Sequence, residues 1–409
     1  MSEAQLGCAV RPAEHADLDA LCTCVEAGFA ARITPARRAG IGVAIADGRS
    51  LAAVDGAELV GAIVAHRAEL TVPGPVAVPA LLLSDAVVAP THRRRGHLRS
   101  LMASAIAGAH ERGEAIAVLG ASEGGIYSRF GWGPATATAS YVLDRATVDV
   151  GYFTGTPGRV ELLGPDDAGE AFPAVFETAR LSRAGEIDRR ATAWPELVDS
   201  VEDGLSAAMR FRAAFVAGTQ IDGYAIYEVR APVGDRRKVV LEECCALTDD
   251  AYTALFAYLC SIDLTHALRT GPRPVDEPFR HVLRDPRALR TVEVCDGAWL
   301  RLVDARAALG ARLYSAKGRV VVELEDALCP WNEGRWAIES DASGAAEISP
   351  SSAAPDLVLG AAALASAYLG GTRVSSLRRA GRVEEREAGS ADRLDAMLYC
   401  DPVPFCTAL

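Results

Sequence analysis

The chain has 409 residues, of which half are hydrophobic and 23% are charged, the balance of a folded globular protein with two or three domains. Its formal net charge of −12 argues against a nucleic-acid-binding protein, which would carry a basic surface, and instead suits a small polycationic partner. The sequence has no run of eighteen apolar residues, so we expect no membrane span. Glu3 stands where a signal peptide carries positive charge, so we expect no signal peptide. We therefore expect a cytoplasmic protein that binds neither nucleic acid nor membrane.

The ten cysteines form no CxxC pair and no cluster with histidine at the spacing of zinc ligands. We interpret them as small buried hydrophobic residues in a reducing compartment, and we expect no metal site.

Residues 1–150 predict one α/β unit. Apolar side chains at helical spacing indicate a helix over 17–29, and Asp55-Gly56 between two apolar stretches is typical of a hairpin. Proline and glycine predict irregular structure over 33–49 and a loop over 70–79. Strands are then expected over 81–88, 115–119 and 136–143, with helices from the basic turn to about 112 and around 125–129.

The stretch 81–102 combines a buried apolar strand, a basic turn and a helix. The turn carries three adjacent arginines followed by Gly96. Free N–H groups and the dipole at the start of a helix attract anions, so this order predicts a phosphate-binding turn, although adjacent arginines are also typical of a solvated basic face. His92 and His97 flank the arginines without further ligands, and we interpret both as turn surface.

A second motif follows the strand at 115–119. Its residues are Ser122-Glu123-Gly124-Gly125-Ile126-Tyr127, followed by Arg129-Phe130-Gly131. Together with VVAPTHRRRG at 87–96, this motif closely resembles the Eis (enhanced intracellular survival) family of GNAT acetyltransferases, actinobacterial enzymes that acetylate several amines of aminoglycosides. The usual GNAT turn has Gly or Ala where this chain has Leu98.

The resemblance implies an N-acetyltransferase that uses acetyl-CoA and no metal, acts on a small polycationic amine and assembles as a homohexamer. The backbone N–H groups of Val87 and Val88 are the expected partners of the acetyl carbonyl and the pantetheine chain. The full set of implied cofactor-binding residues is Ala86, Val87, Val88, Arg93, Arg94, Arg95, Gly96, His97, Leu98, Arg99, Ser122 and Glu123.

Acetyl transfer to an amine also needs an acid for the departing thiolate and a base for the amine proton. Tyr127 follows two glycines and is the candidate acid; by resemblance, the base is the α-carboxylate of Leu409. Glu26 is the implied contact for substrate amines, although a solvated helix face explains it equally well. Arg37 and Arg38 follow where the family often has tryptophan, and they predict positive charge beside the acceptor.

After a glycine-rich connector at 151–158, the chain repeats the order of a GNAT unit. Elements are expected at 160–163, 167–180, 207–217, 221–230, 238–246 and 249–259. This block resembles the degenerate second GNAT domain of the family. Asp249 and Asp250 stand where the first unit has arginines, and because carboxylates repel a diphosphate we predict that this half does not bind CoA. Asp249 is the expected N-cap of the last helix.

From about 291 the chain resembles the sterol-carrier-like third domain of the family, with a strand at 296–303 and an alanine-rich helix at 361–368. The predicted fold is thus α/β (α+β): two tandem GNAT-like domains followed by a sterol-carrier-protein-like α+β domain that ends in the active site. The predicted bounds are 1–150, 151–290 and 291–409.

Two alternatives to aminoglycoside acetylation stay open. One is acetylation of a protein or peptide lysine, or of a small polyamine. The other is a sensor that binds CoA or lipid with little turnover.

Overall fold

A computed structural model describes residues 9–148, 158–199, 209–230 and 237–407. Its strands are β1 (Ala9–Pro12), β2 (Leu51–Asp55), β3 (Glu58–Val72), β4 (Val76–Val88), β5 (Ile116–Gly120), β6 (Gly133–Pro134), β7 (Ala137–Asp144), β8 (Arg159–Leu162), β9 (Met209–Ala217), β10 (Gln220–Arg230), β11 (Arg237–Ala246), β12 (Thr265–Thr270), β13 (Arg273–Pro274), β14 (Leu289–Asp296), β15 (Ala298–Leu302), β16 (Gly318–Glu325), β17 (Gly334–Ser340), β18 (Ala346–Pro350), β19 (Leu357–Gly360) and β20 (Val383–Glu385). Its helices are α1 (Leu18–Phe29), α2 (Pro35–Ala46), α3 (His97–Glu111), α4 (Gly124–Tyr127), α5 (Pro165–Arg180), α6 (Trp194–Val198), α7 (Asp249–Ser261), α8 (Phe279–Val282), α9 (Ala305–Ala311), α10 (Ala361–Ala367), α11 (Val374–Arg379) and α12 (Ser390–Leu398). None of the helices in these ranges is long and apolar enough to cross a membrane.

The first of two compact units contains residues 9–136 together with 297–407. Its larger sheet has the strand order β1-β2-β3-β4-β5-β15-β6. Alternate residues of β3 face opposite sides: Ile63 packs with α3, whereas Ala62 and Val64 pack with α1 and α2. The sheet is therefore covered by helices on both faces, as its continuous apolar strands require.

A bulge in β4 opens the centre of this sheet. β4 pairs with β5 in parallel only from Ala80 to Leu83. On its other side, the register with β3 shifts between Val64 and Ala65, which leaves Ser84 as the extra residue. A bulge bends the strand that carries it. β4 thus leaves β5 directly after the bulge, and the edge of 86–88 opens toward a cavity.

Strand β15 corrects the sequence-based assignment of the sheet. The strand predicted over 296–303 at the start of the third domain lies between β5 and β6, with Trp299 opposite Leu119 and Pro134. The strand predicted over 136–143 to complete the first sheet is β7, which pairs in the second sheet instead. An apolar pattern identifies a strand but not the strand with which it pairs. The sequence therefore does not show that β15 takes the place in the first sheet that was predicted for β7. The proposed domain bounds remain predictions.

Two segments expected to be irregular are regular. Residues 33–49 contain α2, which begins with Thr34 accepting a hydrogen bond from the N–H of Arg37, and with Pro35 at the first helical position. The segment 70–79 extends β3 and β4 into a long hairpin, where Leu70 lies opposite Val78.

The rest of the first unit is a smaller sheet with the order β18-β17-β16-β19-β20, packed with α9 to α12. The alanine-rich α10 is buried core. A Cβ atom on Gly133 would lie 2.2 Å from the carbonyl oxygen of Ala362, so α10 touches the backbone of β6 directly.

The second unit spans 137–296 and repeats the layered plan. Its sheet has the order β13-β7-β12-β11-β10-β9-β8, and β14 also pairs with β7. Tyr224 and Ile226 pack with α5 on one face, while Ala225 and Tyr227 pack with α7 on the other. Both units therefore have the mixed α/β class that the sequence predicts, with helices packed on their sheets.

Candidate active site

The turn before α3 has the backbone of an anion site. Pro90–His92 forms a 3-10 turn, Arg94 has a φ of 65° and Gly96 a φ of 90°. Gly96 is the N-cap of α3, and no side chain caps the helix there. The N–H groups of a first helical turn have no acceptor within the helix, so an anion is a natural partner for them.

The arginines of the turn have different surroundings. The guanidinium of Arg93 donates to the carbonyl oxygens of Gly28 at 3.1 Å and Val88 at 3.4 Å, which ties the turn to the end of α1. Arg94 is exposed and lines the cavity. Arg95 donates to the carbonyl of Thr91 and is not among the residues that line the cavity.

A cavity of about 700 Å³ lies where β4 leaves β5. On one side of this cavity, α1 packs closely against β4 at Gly28. A side chain at this position would clash, because a Cβ atom there would lie 2.0 Å from Cγ2 of Val87. Residues of α1, β4, the basic turn, α3 and α4 form the walls. They are Gly28, Phe29, Ala86, Val87, Val88, His92, Arg93, Arg94, Gly96, His97, Leu98, Arg99, Ser122, Glu123, Ile126, Tyr127, Arg129 and Phe130.

Tyr127 ends the short helix α4 and lines the cavity. The residue is 5% exposed, and its ring packs against Trp132 and Trp299, with centroid distances of 6.5 and 6.4 Å. Burial raises the pKa of the Tyr127 phenol above its ordinary value, and a side-chain hydrogen bond with Ser122 lowers it in part. The phenol therefore holds its proton at neutral pH beside a site that suits a phosphorylated ligand.

Comparisons with known proteins give this geometry a family. GNAT acetyltransferase domain profiles match residues 9–135 and 185–306, and a sterol carrier protein domain profile matches 305–407. The chain is 39% identical over 344 residues to an uncharacterised N-acetyltransferase of Streptomyces coelicolor, covering 82% of each sequence. It is 36% identical over 359 residues to the N-acetyltransferase Eis of Mycobacterium tuberculosis, covering 86% of each.

The chain belongs to the Eis family of GNAT N-acetyltransferases. The crystal structure of Eis1 from Mycobacterium abscessus superposes with a TM-score of 0.85 at 30% identity and covers 98% of this chain and 99% of that one. A GCN5-related N-acetyltransferase from Anabaena variabilis, at 16% identity, has a TM-score of 0.84 and supports the fold. Domains of the GNAT type use acetyl-CoA.

The residues that resemblance assigned to the cofactor of this Eis-family chain largely meet in one place. All of them except Arg95 line the cavity. Their roles remain predictions. Sequence reasoning missed Gly28 and Phe29, which line the cavity because α1 reaches β4 only in the folded chain. It also missed Trp299, which packs on Tyr127 from β15.

Glu26 lies on α1 beside the cavity but does not line it. Its carboxylate accepts the backbone N–H of Ile33 at 2.9 Å, which orders the loop after α1. Its contact with substrate amines stays a prediction. Arg37 pairs with the buried carboxylate of Asp85 at 2.5 Å, so the positive charge expected on the acceptor side is matched by a carboxylate.

The two histidines differ in burial. His97 is 3% exposed and His92 is half-buried, and both line the cavity. The interpretation as turn surface was wrong for His97, because Gly96 bends the chain so that the first residue of α3 turns inward.

The predicted base, the carboxylate of Leu409, lies outside the described residues. The segment that leads to it is ordered: Pro404, Phe405 and Cys406 are buried, and Pro404 lies 3.5 Å from where a Cβ atom of Gly371 would be.

Proposed function

We propose that this Eis-family N-acetyltransferase transfers the acetyl group of acetyl-CoA to amines of a small polycationic, aminoglycoside-type substrate, at several positions. The observation that carries the proposal is the meeting of an uncapped helix start, an open strand edge and a buried phenol around one cavity. The acidic net charge of −12 supports a polycationic acceptor, since it raises the local concentration of cations.

Each part of the cavity has a chemical task in this reaction. Backbone N–H groups and Arg94 at the start of α3 hold the diphosphate. The free edge of β4 faces the cavity after the bulge. Ala89 donates its N–H to the carbonyl of Val60 on the β3 side, and N–H groups alternate along a strand, so the N–H of Val88 and not that of Val87 points to the free edge. This N–H suits the thioester carbonyl and the negative charge that develops on it.

Two proton transfers complete the reaction. The amine attacks as the free base and must lose a second proton once the carbon–nitrogen bond has formed, and we assign this proton to the carboxylate of Leu409. The carbon–sulfur bond then breaks, and Tyr127 donates its proton to the departing thiolate. The raised pKa of Tyr127 keeps that proton available.

Acceptor identity is tested with the full chain, acetyl-CoA and a panel containing an aminoglycoside, a linear polyamine and a lysine peptide. Thiol release measures turnover, and the mass of each product counts the acetyl groups. We expect the aminoglycoside to gain more than one. Preference for the peptide or the linear polyamine would replace the proposed substrate, and failure of thiol release with every amine would favour the sensor.

The base and the assembly need separate tests. A short extension after Leu409 moves the terminal carboxylate and should reduce turnover strongly; full activity would contradict the assignment. We propose a homohexamer, which native mass spectrometry would show as six chains.

A further inference from the structure

His97 combines two properties that rarely occur together. It is the first residue of the fifteen-residue helix α3 and lines the cavity, yet the residue is only 3% exposed. Within the described part of the chain, neither Nδ1 nor Nε2 has a hydrogen-bond partner. Buried polar groups are nearly always paired, so an imidazole without a partner in a cavity wall indicates a ligand that supplies one.

The surroundings of His97 define its protonation state. The ring of His92 lies 6.3 Å away between centroids, and its Nδ1 is 2.8 Å from Oγ1 of Thr91. Burial lowers the pKa of His97, as do the charges of His92 and Arg95, whereas Asp55 raises it. At neutral pH the ring is therefore neutral and carries one N–H donor and one acceptor nitrogen.

We propose that the imidazole of His97 donates a hydrogen bond to a phosphate oxygen of the CoA thioester bound at the start of α3. The proposal rests on the proposed function and assigns a side-chain contact that the turn motif alone does not contain. The location favours phosphate, because His97 belongs to the first turn of α3, which no side chain caps, and lines the same cavity as the exposed cation of Arg94.

A phosphate partner couples binding to protonation. Negative charge beside the ring favours its protonated form, so the pKa of His97 is higher in the complex than in the free protein. The extra affinity is fully present below the free-state pKa and is lost as the pH rises through the complex's pKa. Among the neighbouring groups, the charge of Asp55 favours protonation of His97, whereas the charges of Arg95 and His92 disfavour it.

The test compares His97→Leu and His97→Asn with the wild type. The ligands are acetyl-CoA and S-acetylpantetheine, which has the thioester arm but no phosphate. A hydrogen bond to a charged group is lost in His97→Leu, so we expect affinity for acetyl-CoA to fall about tenfold or more by calorimetry, and kcat/KM for acetyl-CoA to fall with it. The kcat/KM for S-acetylpantetheine should be the same in His97→Leu and in the wild type.

Two further readouts separate a binding role from a structural one. The melting temperature of ligand-free His97→Leu should equal or exceed that of the wild type, because an unpaired buried polar group has been removed. His97→Asn retains an N–H donor that does not titrate. Its affinity for acetyl-CoA should therefore lie between those of His97→Leu and the wild type, and it should not rise at low pH as the wild-type affinity does. His110→Leu, on the same helix but stacked on Trp331 at 4.4 Å, is the control and should leave affinity unchanged.

Three results would overturn the inference. Equal losses with both ligands would place the contact on the thioester arm. Unchanged affinity in His97→Leu would mean that a buried solvent molecule or packing satisfies the ring. A lower melting temperature with a proportional loss of all activity would show a purely structural role. If the wild type itself fails to bind acetyl-CoA, the proposed function fails and not this inference alone.

Discussion

Helices α3 and α7 occupy equivalent places, since each connects two parallel strands of its own sheet, yet they begin differently. At the start of α7, Oγ1 of Thr248 accepts the N–H of Ala251 at 3.1 Å, and Asp249 and Asp250 fill the first turn. At the start of α3, Gly96 supplies no side-chain cap and arginines precede it. A helix that satisfies its own first turn needs no anion, whereas α3 leaves that position to a ligand. One fold thus leaves the helix start without a side-chain cap in one copy and closes it with a capped, acidic first turn in the other.

The largest expected effect is the loss of turnover when the Tyr127 phenol is removed from the first unit. Tyr127→Phe should lower kcat about 100-fold or more, the usual value of a general acid, without changing the dissociation constant of acetyl-CoA. Stopped thiol-release assays and calorimetry measure the two quantities. Turnover near the wild-type rate would remove Tyr127 from the mechanism.

Tyr252 on α7 provides the matched control. Its hydroxyl donates to the carboxylate of Glu277 and accepts the N–H of Phe279 at 3.0 Å, both within the second unit. Tyr252→Phe should therefore lower the free energy of unfolding by about 1–3 kcal/mol while leaving turnover unchanged.

The pH profile sharpens the same contrast. Burial raises the pKa of Tyr127, and the acid works only while protonated, so activity should be retained up to the ordinary pKa of tyrosine and fall above it. We expect this alkaline decline in the kcat profile of the wild type and its absence from the residual activity of Tyr127→Phe. A decline near neutral pH that persists in the variant would point to another group.

Charge reversal tests the two helix starts directly. Arg94→Glu replaces an exposed cation on the cavity wall with a carboxylate, and the affinity for acetyl-CoA should fall roughly 10- to 100-fold, with weaker dependence on salt. Asp250→Arg should not create a second site, because Thr248 still caps α7. Calorimetry should give one ligand per chain for the wild type and for Asp250→Arg; two per chain would refute the closed start of α7.

The smallest effect is expected at the cap itself. Thr248→Ala removes the acceptor of the Ala251 N–H and should lower the stability of the second unit by about 1 kcal/mol in urea denaturation. Acetyl-CoA affinity should not change, and a loss of binding would mean that the two helix starts are not independent.

The sequence predicted the parts of this chain whose contacts are local. The strand at 81–88, its basic turn and α3 follow from composition and spacing, and α7 was placed correctly except that Thr248, not Asp249, is its N-cap. Sequence reasoning missed the helix α2, although Thr34 is a typical N-cap and Pro35 a typical first helical residue. Glycines between Pro35 and Ala46 weakened the helical pattern.

The rest depends on contacts between distant residues. That His97 faces inward follows from the positive φ of Gly96, which composition does not specify. That Trp299 supports Tyr127 follows from the pairing of β15 with β5, across more than 160 residues of chain. Strand pairing at that distance has no local pattern.

The position of β15 has a consequence for biosynthesis. Until residue 302 leaves the ribosome, β5 presents an unpaired edge and the ring of Tyr127 lacks one of its aromatic neighbours. A nascent chain that stops after β6 therefore emerges with an incomplete sheet and an unpaired strand edge. Truncated fragments of this chain should aggregate, and competence for acetyl transfer should appear only late in translation.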